Sequence, residues 1–514
     1  MKKRILSLFL ILSLLLNLGM TGCSKTGNQV VQDATSCTEH ADTNFDNLCD
    51  FCQVSLLVYV DFYAINDLHG KIADGEGHPG VDELTTFLKN AELRDDYLFL
   101  LSSGDMWQGS SESNLTDGHL TTEWMNALNF VSMTMGNHEY DWGEDLIESN
   151  DAIAEFPFLA INIYDKETNE LVDYCQPSVV VEAGGIKIGI IGAIGDCYSS
   201  ISGEQVKDVY FKVGKELTEL VKAESTRLRE EEGVDCIVYS LHDGYGRSKG
   251  EDVAYVGSSD LSSYYDTRLS DGYVDVVFEA HTHQQYLLMD QYGVYHLQNR
   301  GDNSGGISHV ELAINQVTGQ TSVNVAELIS TTRYENLNDD AIVEELLAKY
   351  SDELAYAYEE LGYNANYRNS NYISRLVANL YLKAGTEKWG SEYNIVLGGG
   401  SINIRKPYNL NAGMITYADI YPLLPFDNEL VLCSISGADL QKRFLNNSDY
   451  VISLSSYGQS IQYNIDPNKT YYIILDTWSS LYAPNNVTEI ARFGSNIYAR
   501  DLLAQYIASG GLSK

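Results

Sequence analysis

Basic residues are scarce in this chain. It carries 33 Lys and Arg against 72 Asp and Glu over 514 residues, a formal net charge of −39. Binding a nucleic-acid backbone needs Lys and Arg to replace its counterions, so the imbalance argues against a polymer of that kind as partner. A small anionic substrate stays open, because bound metal ions can reverse the local field. Long apolar runs are missing too. The one near the start, Ile5 to Leu18, falls short of the ~20 residues that a membrane-crossing helix needs. There is no tandem repeat and no long low-complexity tract. Proline is rare, with 8 residues, while 44% of the chain is apolar and 37 residues are tyrosine. What remains is a globular chain with ample core material, long enough for two or three domains.

Lys2, Lys3 and Arg4 precede the apolar run, and Met20-Thr21-Gly22-Cys23 follows it. That order reads as an export signal over residues 1–22. The last four residues resemble a bacterial lipobox, which implies cleavage before Cys23 and acylation of its thiol. The protein would then be extracytoplasmic and anchored to the cell membrane by lipid; a plain secretory signal is the alternative. Residues 23–54 form a tether that holds Cys37, His40, Cys49 and Cys52. Their C-x2-H-x8-C-x2-C spacing suits a Cys3His zinc site. In an oxidising compartment, one disulfide plus a thiol is an equal contender. Asp42, Asn44, Asp46 and Asp50 resemble a calcium loop, without the Gly and terminal Glu of an EF-hand. Cys175, Cys197, Cys236 and Cys433 are scattered and read as buried small hydrophobes.

From Leu56 onward, short β-rich runs alternate with helical patterns. Strands are expected at 58–65, 97–101, 130–135, 158–163, 186–194, 236–241 and 274–279, with helices over 81–93 and 213–231. This alternation indicates a layered α/β domain. Asp67, Asp105, Asn137, His242 and the His281/His283 pair each follow a strand candidate. In α/β sheets, ligands gather beyond the carboxyl ends of the strands, so five strands would deliver metal-type donors to one edge. An acidic helix is expected over 339–361. It sits in a linker of residues 331–362, between a domain at 55–330 and a second at 363–514. The second unit has a helix candidate at 372–382 and strands near Ile395, Leu430 and Tyr472.

Two-metal hydrolysis needs a bridging carboxylate, terminal imidazoles and carboxylates on each ion, and an open side for substrate. The chain offers Asp67-x-His69, Gly104-Asp105, Gly136-Asn137-His138-Glu139, His242-Asp243-Gly244 and His281-Thr282-His283, with five of its ten histidines among them. In this order the series resembles the calcineurin-like metallophosphoesterases, and Gly136 to Asp141 resembles their 5′-nucleotidase branch. The resemblance covers roughly Leu56 to Tyr482. It implies a four-layer α/β/β/α sandwich followed by a smaller α/β substrate-binding domain. It also implies two divalent cations, such as zinc or manganese. Asp67, His69 and His283 would hold one, Asn137, His242 and His281 the other, and Asp105 would bridge. His138, oriented by Asp141, would stabilise or protonate the leaving oxygen, and Glu139 would be structural. Ala280 stands where the family has Gly.

The second domain resembles the nucleotidase C-terminal domain through Gly398 to Asn403 and Tyr417 to Asn428. By that resemblance Phe426 stacks on a base and Asn428 hydrogen-bonds it. A glycine run lets backbone approach a ligand closely, so Gly399 and Gly400 join the expected substrate site. Trp478 or Tyr482 would supply a second aromatic, although the family's Gly-Gly-Asp-Gly segment is absent. The family's Asn-Gly-Gly-x-Ile-Arg reads Gly398-Gly399-Gly400-Ser401-Ile402-Asn403 here. The missing guanidinium would have to come from Arg405 or Arg368, since Asn is a poor substitute for a planar bidentate donor. The expected substrate is a nucleotide, cleaved to nucleoside and phosphate. The alternatives are a nucleotide sugar, a 2′,3′-cyclic nucleotide, or a surface binding or adhesion role with an unused site. The Arg300-Gly301-Asp302 triplet reads as a loop accident.

Overall fold

The computed structural model describes residues 40–74, 80–95, 97–245, 269–301, 306–400, 409–447, 450–482, 486–494 and 497–513. Cys23, Cys37, Asp302, Arg405, residues 401–403 and the side chain of Tyr482 lie outside this description. The chain divides into two compact units, one ending at Leu56 and one running from Leu57 to Lys514.

The larger unit opens with β1 Leu57–Ile65, β2 Leu98–Ser102, β3 Ser132–Thr134, β4 Phe158–Leu159, β5 Ile163–Asp165, β6 Ser178–Ala183 and β7 Ile186–Ile194. It continues with β8 Val209–Phe211, β9 Cys236–His242, β10 Val276–Glu279, β11 Tyr286–Met289, β12 Tyr295–Gln298, β13 Ile307–Asn315 and β14 Thr321–Ile329. One six-stranded sheet has the order β14-β13-β1-β2-β3-β4, the other β11-β12-β10-β9-β7-β6. Strands β1 to β4 run parallel in the first, and β7, β9, β10 and β12 run parallel in the second.

Alternation along the strands sets the layers. Val60, Phe62 and Ala64 of β1 meet Ile188, Ile190, Val238 and Phe278 of the second sheet in one apolar core between the sheets. The intervening residues Ile191, Ala193, Ile237 and Tyr239 turn outward onto Leu217 and Val221 of the helix Lys215–Arg227. On the far side, Leu100 and Met133 pack against Leu84, Leu88 and Trp124 from the helices Asp82–Glu92 and His119–Ala127. Burying each such side chain is worth about 1.5–3 kcal/mol, and a one-residue slip would turn all of them to the wrong face. The result is the expected helix, sheet, sheet, helix sandwich.

Two local expectations need correction. The single strand over 158–163 is divided into β4 and β5, because Asn162 turns its amide onto Ile194 O and Lys212 O and pulls the chain out of the first sheet. The single acidic helix is two short ones, Ala341–Lys349 and Ser351–Leu354. Its expected end instead enters strand β15 Glu360–Asn364, paired with β17 Gly413–Thr416.

The C-terminal part is built on a second helix and sheet. Strands β16 Ile395–Gly400, β18 Leu430–Ser436, β19 Val451–Leu454, β20 Thr470–Asp476 and β21 Val487–Arg492 form a sheet of order β19-β16-β20-β18-β21. The helix Ser370–Trp389 covers it through Ile373, Val377 and Tyr381. Gln108 donates to Pro425 O at 3.0 Å and Tyr358 OH to Glu112 at 2.7 Å, so this part is hydrogen-bonded to the sandwich.

Candidate active site

All five donor-bearing loops leave the C-terminal ends of parallel strands: β1, β2 and β3 of one sheet and β9 and β10 of the other. The two sheets face each other, so these loops converge. Asp67, His69, Asp105, Asn137 and His242 are buried there. Glycine makes the approach possible. A Cβ on Gly104 would stand 2.7 Å from His242 Nδ1, and one on Gly136 would stand 2.3 Å from Asp105 Oδ1.

The donor atoms are arranged for cations. His69 Nδ1 donates to Gln108 O at 2.7 Å, which leaves Nε2 as a lone pair; it stands 3.3 Å from His283 Nε2, itself 3.4 Å from Asp67 Oδ1. His242 Nδ1 donates to Ser103 O at 2.7 Å, and its Nε2 lies 3.2 Å from both Asp105 Oδ2 and Asn137 Oδ1. Lone pairs therefore face lone pairs, and buried Asp105 Oδ2 has no hydrogen-bond partner. Such a set repels itself until positive charge enters it. Burial should lower the pKa of His242, yet Asp105 overrides it and drives the ring up to about 10. The field that attracts a proton there suits a divalent cation equally. Burial, then neighbouring His242, holds His281 down at about 3, in the neutral form that a ligand nitrogen requires.

Beside this cluster, His138 Nδ1 is 2.7 Å from Asp141 Oδ2, a pairing that orients the ring and directs Nε2 away from the carboxylate. Its backbone amide donates to Asp105 Oδ1 at 2.8 Å. Glu139 is wholly buried and accepts amides of Gly136, Asp105 and Met106 at 2.7, 2.9 and 2.8 Å. It laces two of the loops together, as a structural residue would. A cleft of about 1280 Å³ opens over these groups. Asp105, Asn137, His138, His281 and His283 line its floor, and Phe426, Asn428, Trp478, Arg492 and Tyr498 line the opposite wall.

Residues 60–285 match the family described as calcineurin-like phosphoesterase, and residues 355–496 match the 5′-nucleotidase C-terminal domain. Together these segments cover well over half of the chain, in the order that the strands and the cleft require. The chain belongs to the 5′-nucleotidase family. This metallophosphoesterase is 23% identical to protein UshA of Yersinia enterocolitica over 477 residues, 81% of this chain and 84% of that one. It is 28% identical to a 5′-nucleotidase of Vibrio cholerae over 225 residues, 43% of this chain and 39% of the other. Its fold is also that of a 5′-nucleotidase precursor from Thermus thermophilus, with a TM-score of 0.66 at 17% identity, over 88% of this chain and 96% of that one. The phosphoesterase is a metal-dependent phosphoester hydrolase, and the adhesion alternative falls away.

Not every expected residue reaches the cleft of this phosphoesterase. Phe426 is half-buried in the cleft wall, one face against His138 at 5.6 Å between ring centres and 29° between planes. Asn428 Oδ1 accepts from Thr477 Oγ1 at 3.2 Å. Gly399 and Gly400 are not among the cleft-lining residues. Both lie in β16 with φ of +143° and +147°, and a Cβ on them would strike Val451 O at 2.2 Å and Ser479 Oγ at 2.4 Å. Strand packing by itself requires glycine at both positions. Arg368 is also away from the cleft, its guanidinium 4.4 Å from the ring of Tyr372. Two arginines that the sequence did not single out take its place. Arg492 lines the cleft, and buried Arg500 bonds Asp427 and donates to Phe426 O at 3.1 Å, which fixes the turn that carries Phe426. Cys197 is buried as expected, but its donor atom lies beside those of His242 and His281.

Proposed function

We propose that the enzyme is an extracytoplasmic nucleotidase that works with two divalent cations, zinc or manganese, and is tethered by lipid at Cys23. Asp67, His69 and His283 would hold one ion, Asn137, His242 and His281 the other, with Asp105 between them. When bound, such ions polarise a phosphoryl group and make water nucleophilic at neutral pH. Mixed imidazole and carboxylate sets accept several metals, and availability decides among them. His138 donates its Nε2 proton to the departing oxygen while Asp141 holds the ring. Phe426 and Asn428 bind the base, and Arg492, paired with Glu489 at 2.8 Å, lines the same wall.

The observation that supports this reading best is the convergence of mutually repelling donor atoms on the floor of a cleft whose far wall is aromatic. Phosphates need the first and a base the second. The size of the cleft favours a second reading: about 1280 Å³ exceeds the ~300–1,000 Å³ of an ordinary small-ligand pocket. A nucleotide sugar on the same machinery would use that room, and a 2′,3′-cyclic nucleotide is the remaining option.

Phosphate release from a panel tests these readings, with chelator and metal add-back. The panel holds nucleoside 5′-, 3′- and 2′,3′-cyclic phosphates, nucleotide sugars assayed with a coupled phosphatase, and an aryl phosphate. Selective, chelator-sensitive release from 5′-nucleotides is expected. Equal release from every ester would overturn the base-binding part, and activity that survives exhaustive chelation would overturn the metal assignment.

A further inference from the structure

Among its described residues, 40–56, the unit that ends at Leu56 has a very small apolar core. The buried apolar residues among them are Cys49, Cys52 and Leu56, with Val54 packed against them. Its described pairing is one bridge, Leu48 to Ser55, plus turn hydrogen bonds. Two of the three core residues are cysteines, and among the described residues no disulfide is formed. Burying one leucine does little to offset the entropy of ordering these described residues, and a cross-link of another kind would add to it.

The backbone prepares one. Asp42 accepts the amides of Asp46 and Asn47 at 3.1 and 3.0 Å, and Asp50 accepts the amide and hydroxyl of Thr43 at 2.8 and 2.7 Å. These carboxylates are therefore engaged in shaping the loop. Asp50 N donates to Ala41 O at 2.8 Å, which brings His40 back beside the cysteines. Gln53, with φ of 61°, closes a tight turn in which its amide bonds Cys49 O at 2.8 Å and Cys49 N bonds Val54 O at 2.9 Å. Donor atoms of His40, Cys49 and Cys52 all lie within 4.8 Å of one another. His40 Nδ1 and Cys52 Sγ are 3.7 Å apart. In a tetrahedron with zinc–sulfur and zinc–nitrogen bonds of about 2.3 and 2.0 Å, a nitrogen–sulfur edge is about 3.5 Å.

We propose that His40, Cys49 and Cys52 are ligands of a structural zinc ion, separate from the catalytic cations, that holds this unit folded. Binding displaces the thiol protons of Cys49 and Cys52 and leaves one tetrahedral position to a further ligand. One imidazole with two thiolates is a donor set that selects zinc over magnesium or calcium.

The test uses the purified protein, with elemental analysis and with cobalt exchanged for zinc. The catalytic ligands proposed above include no sulfur, so thiolate-to-cobalt charge-transfer absorption reports on this site. The Cys49→Ser/Cys52→Ser double variant should contain one metal ion fewer per chain and lose that absorption, while aryl phosphate turnover stays within twofold of wild type. His40→Ala should keep the sulfur absorption but release the ion at a chelator concentration at least tenfold lower. The proposal is overturned if the wild-type protein gives no thiolate band, or if the band and metal content persist in the double variant. Recovery of Cys49 and Cys52 as a disulfide from unreduced, denatured protein would overturn it as well.

Discussion

Glu139→Gln tests whether the loops that carry the site depend on a single buried charge. Three amides converge on the Glu139 carboxylate: Gly136 and Asp105 on Oε2, Met106 on Oε1. A carboxamide has nearly the same shape but only one acceptor atom. Placed where Oε2 stands, its oxygen keeps two amides, and its NH2 group then faces the Met106 N–H. One buried donor loses its partner, which costs about 1–3 kcal/mol, and the two surviving bonds lose their charge assistance. The loss falls on Asp105, whose backbone is held through its own amide and that of Met106. Burial, then the charge on Asp105, pushes the Glu139 carboxyl up to about 7, while the amides pull the other way. Three donors and no described acceptor argue that the amides prevail and the group is an anion. Calorimetry of the metal-loaded variant should show a lower melting temperature for the sandwich, by ~2–4 °C per kcal/mol. Competition with a chelator should strip the cations at lower concentration. A Gln variant that melts and holds metal like wild type would mean that Glu139 is a neutral acid, and the argument from three donors would fail.

His138→Ala and Asp141→Asn should each lower turnover by ~10²–10⁴ while metal content stays unchanged; full activity in either would remove His138 from catalysis. Phe426→Ala should raise KM for nucleotides by the equivalent of ~1–3 kcal/mol of stacking. Its effect on an aryl phosphate should be smaller, and equal losses on both would make the ring a packing residue. His296 is wholly buried between Glu279 Oε1 at 3.1 Å and Asp290 Oδ2 at 3.6 Å. Burial lowers its pKa, but those two partners raise it further, up to about 9. The stability it confers is complete below pH ~6.5 and is lost as pH climbs towards 9. In melting experiments the gap between wild type and His296→Gln should therefore be largest near pH 6, at most about 3 kcal/mol, and close by pH 9. A gap independent of pH would show that the ring is not charged in the fold.

What the sequence made legible is local or periodic. Alternation in Val58 to Ile65 or Ile186 to Ile194 shows in single windows, and a polar residue just past a strand end needs no distant information to find. The misreadings share a different cause: each depends on a partner far along the chain. Gly399 shows in the sequence as part of a glycine run, and only the fold reveals that Val451 O stands where its Cβ would be. Glu360 and Leu361 read as the end of a helix by spacing, and only the pairing of Glu360–Asn364 with Gly413–Thr416 turns them into strand. Arg500 was invisible for the same reason, since its target is the turn at Pro425 to Asp427, reached across the fold.

One feature of the site bears on whether it is working machinery or residual structure. Among the described residues, eleven non-glycine positions have positive φ, and Asp67, His69, Asp105, His281 and His283 are five of them. Left-handed backbone is reached most readily by Gly and then by Asn, Asp and His, so residue type alone does not announce it. Each such residue costs of order 1 kcal/mol, and the strain persists only where surrounding contacts over-determine it. Those contacts are present: Asn66 donates to Asp67 at 2.6 Å, the His281 amide reaches Asp67 at 3.0 Å, and Glu139 holds Asp105. Five strained donors from three loops, braced by hydrogen bonds at Asp67, Asp105 and His281, are what a fold that maintains their convergence would show. Divalent cations would supply the attraction that offsets both the strain and the mutual repulsion of the lone pairs. Metal removal should therefore lower the stability of the sandwich as well as end turnover.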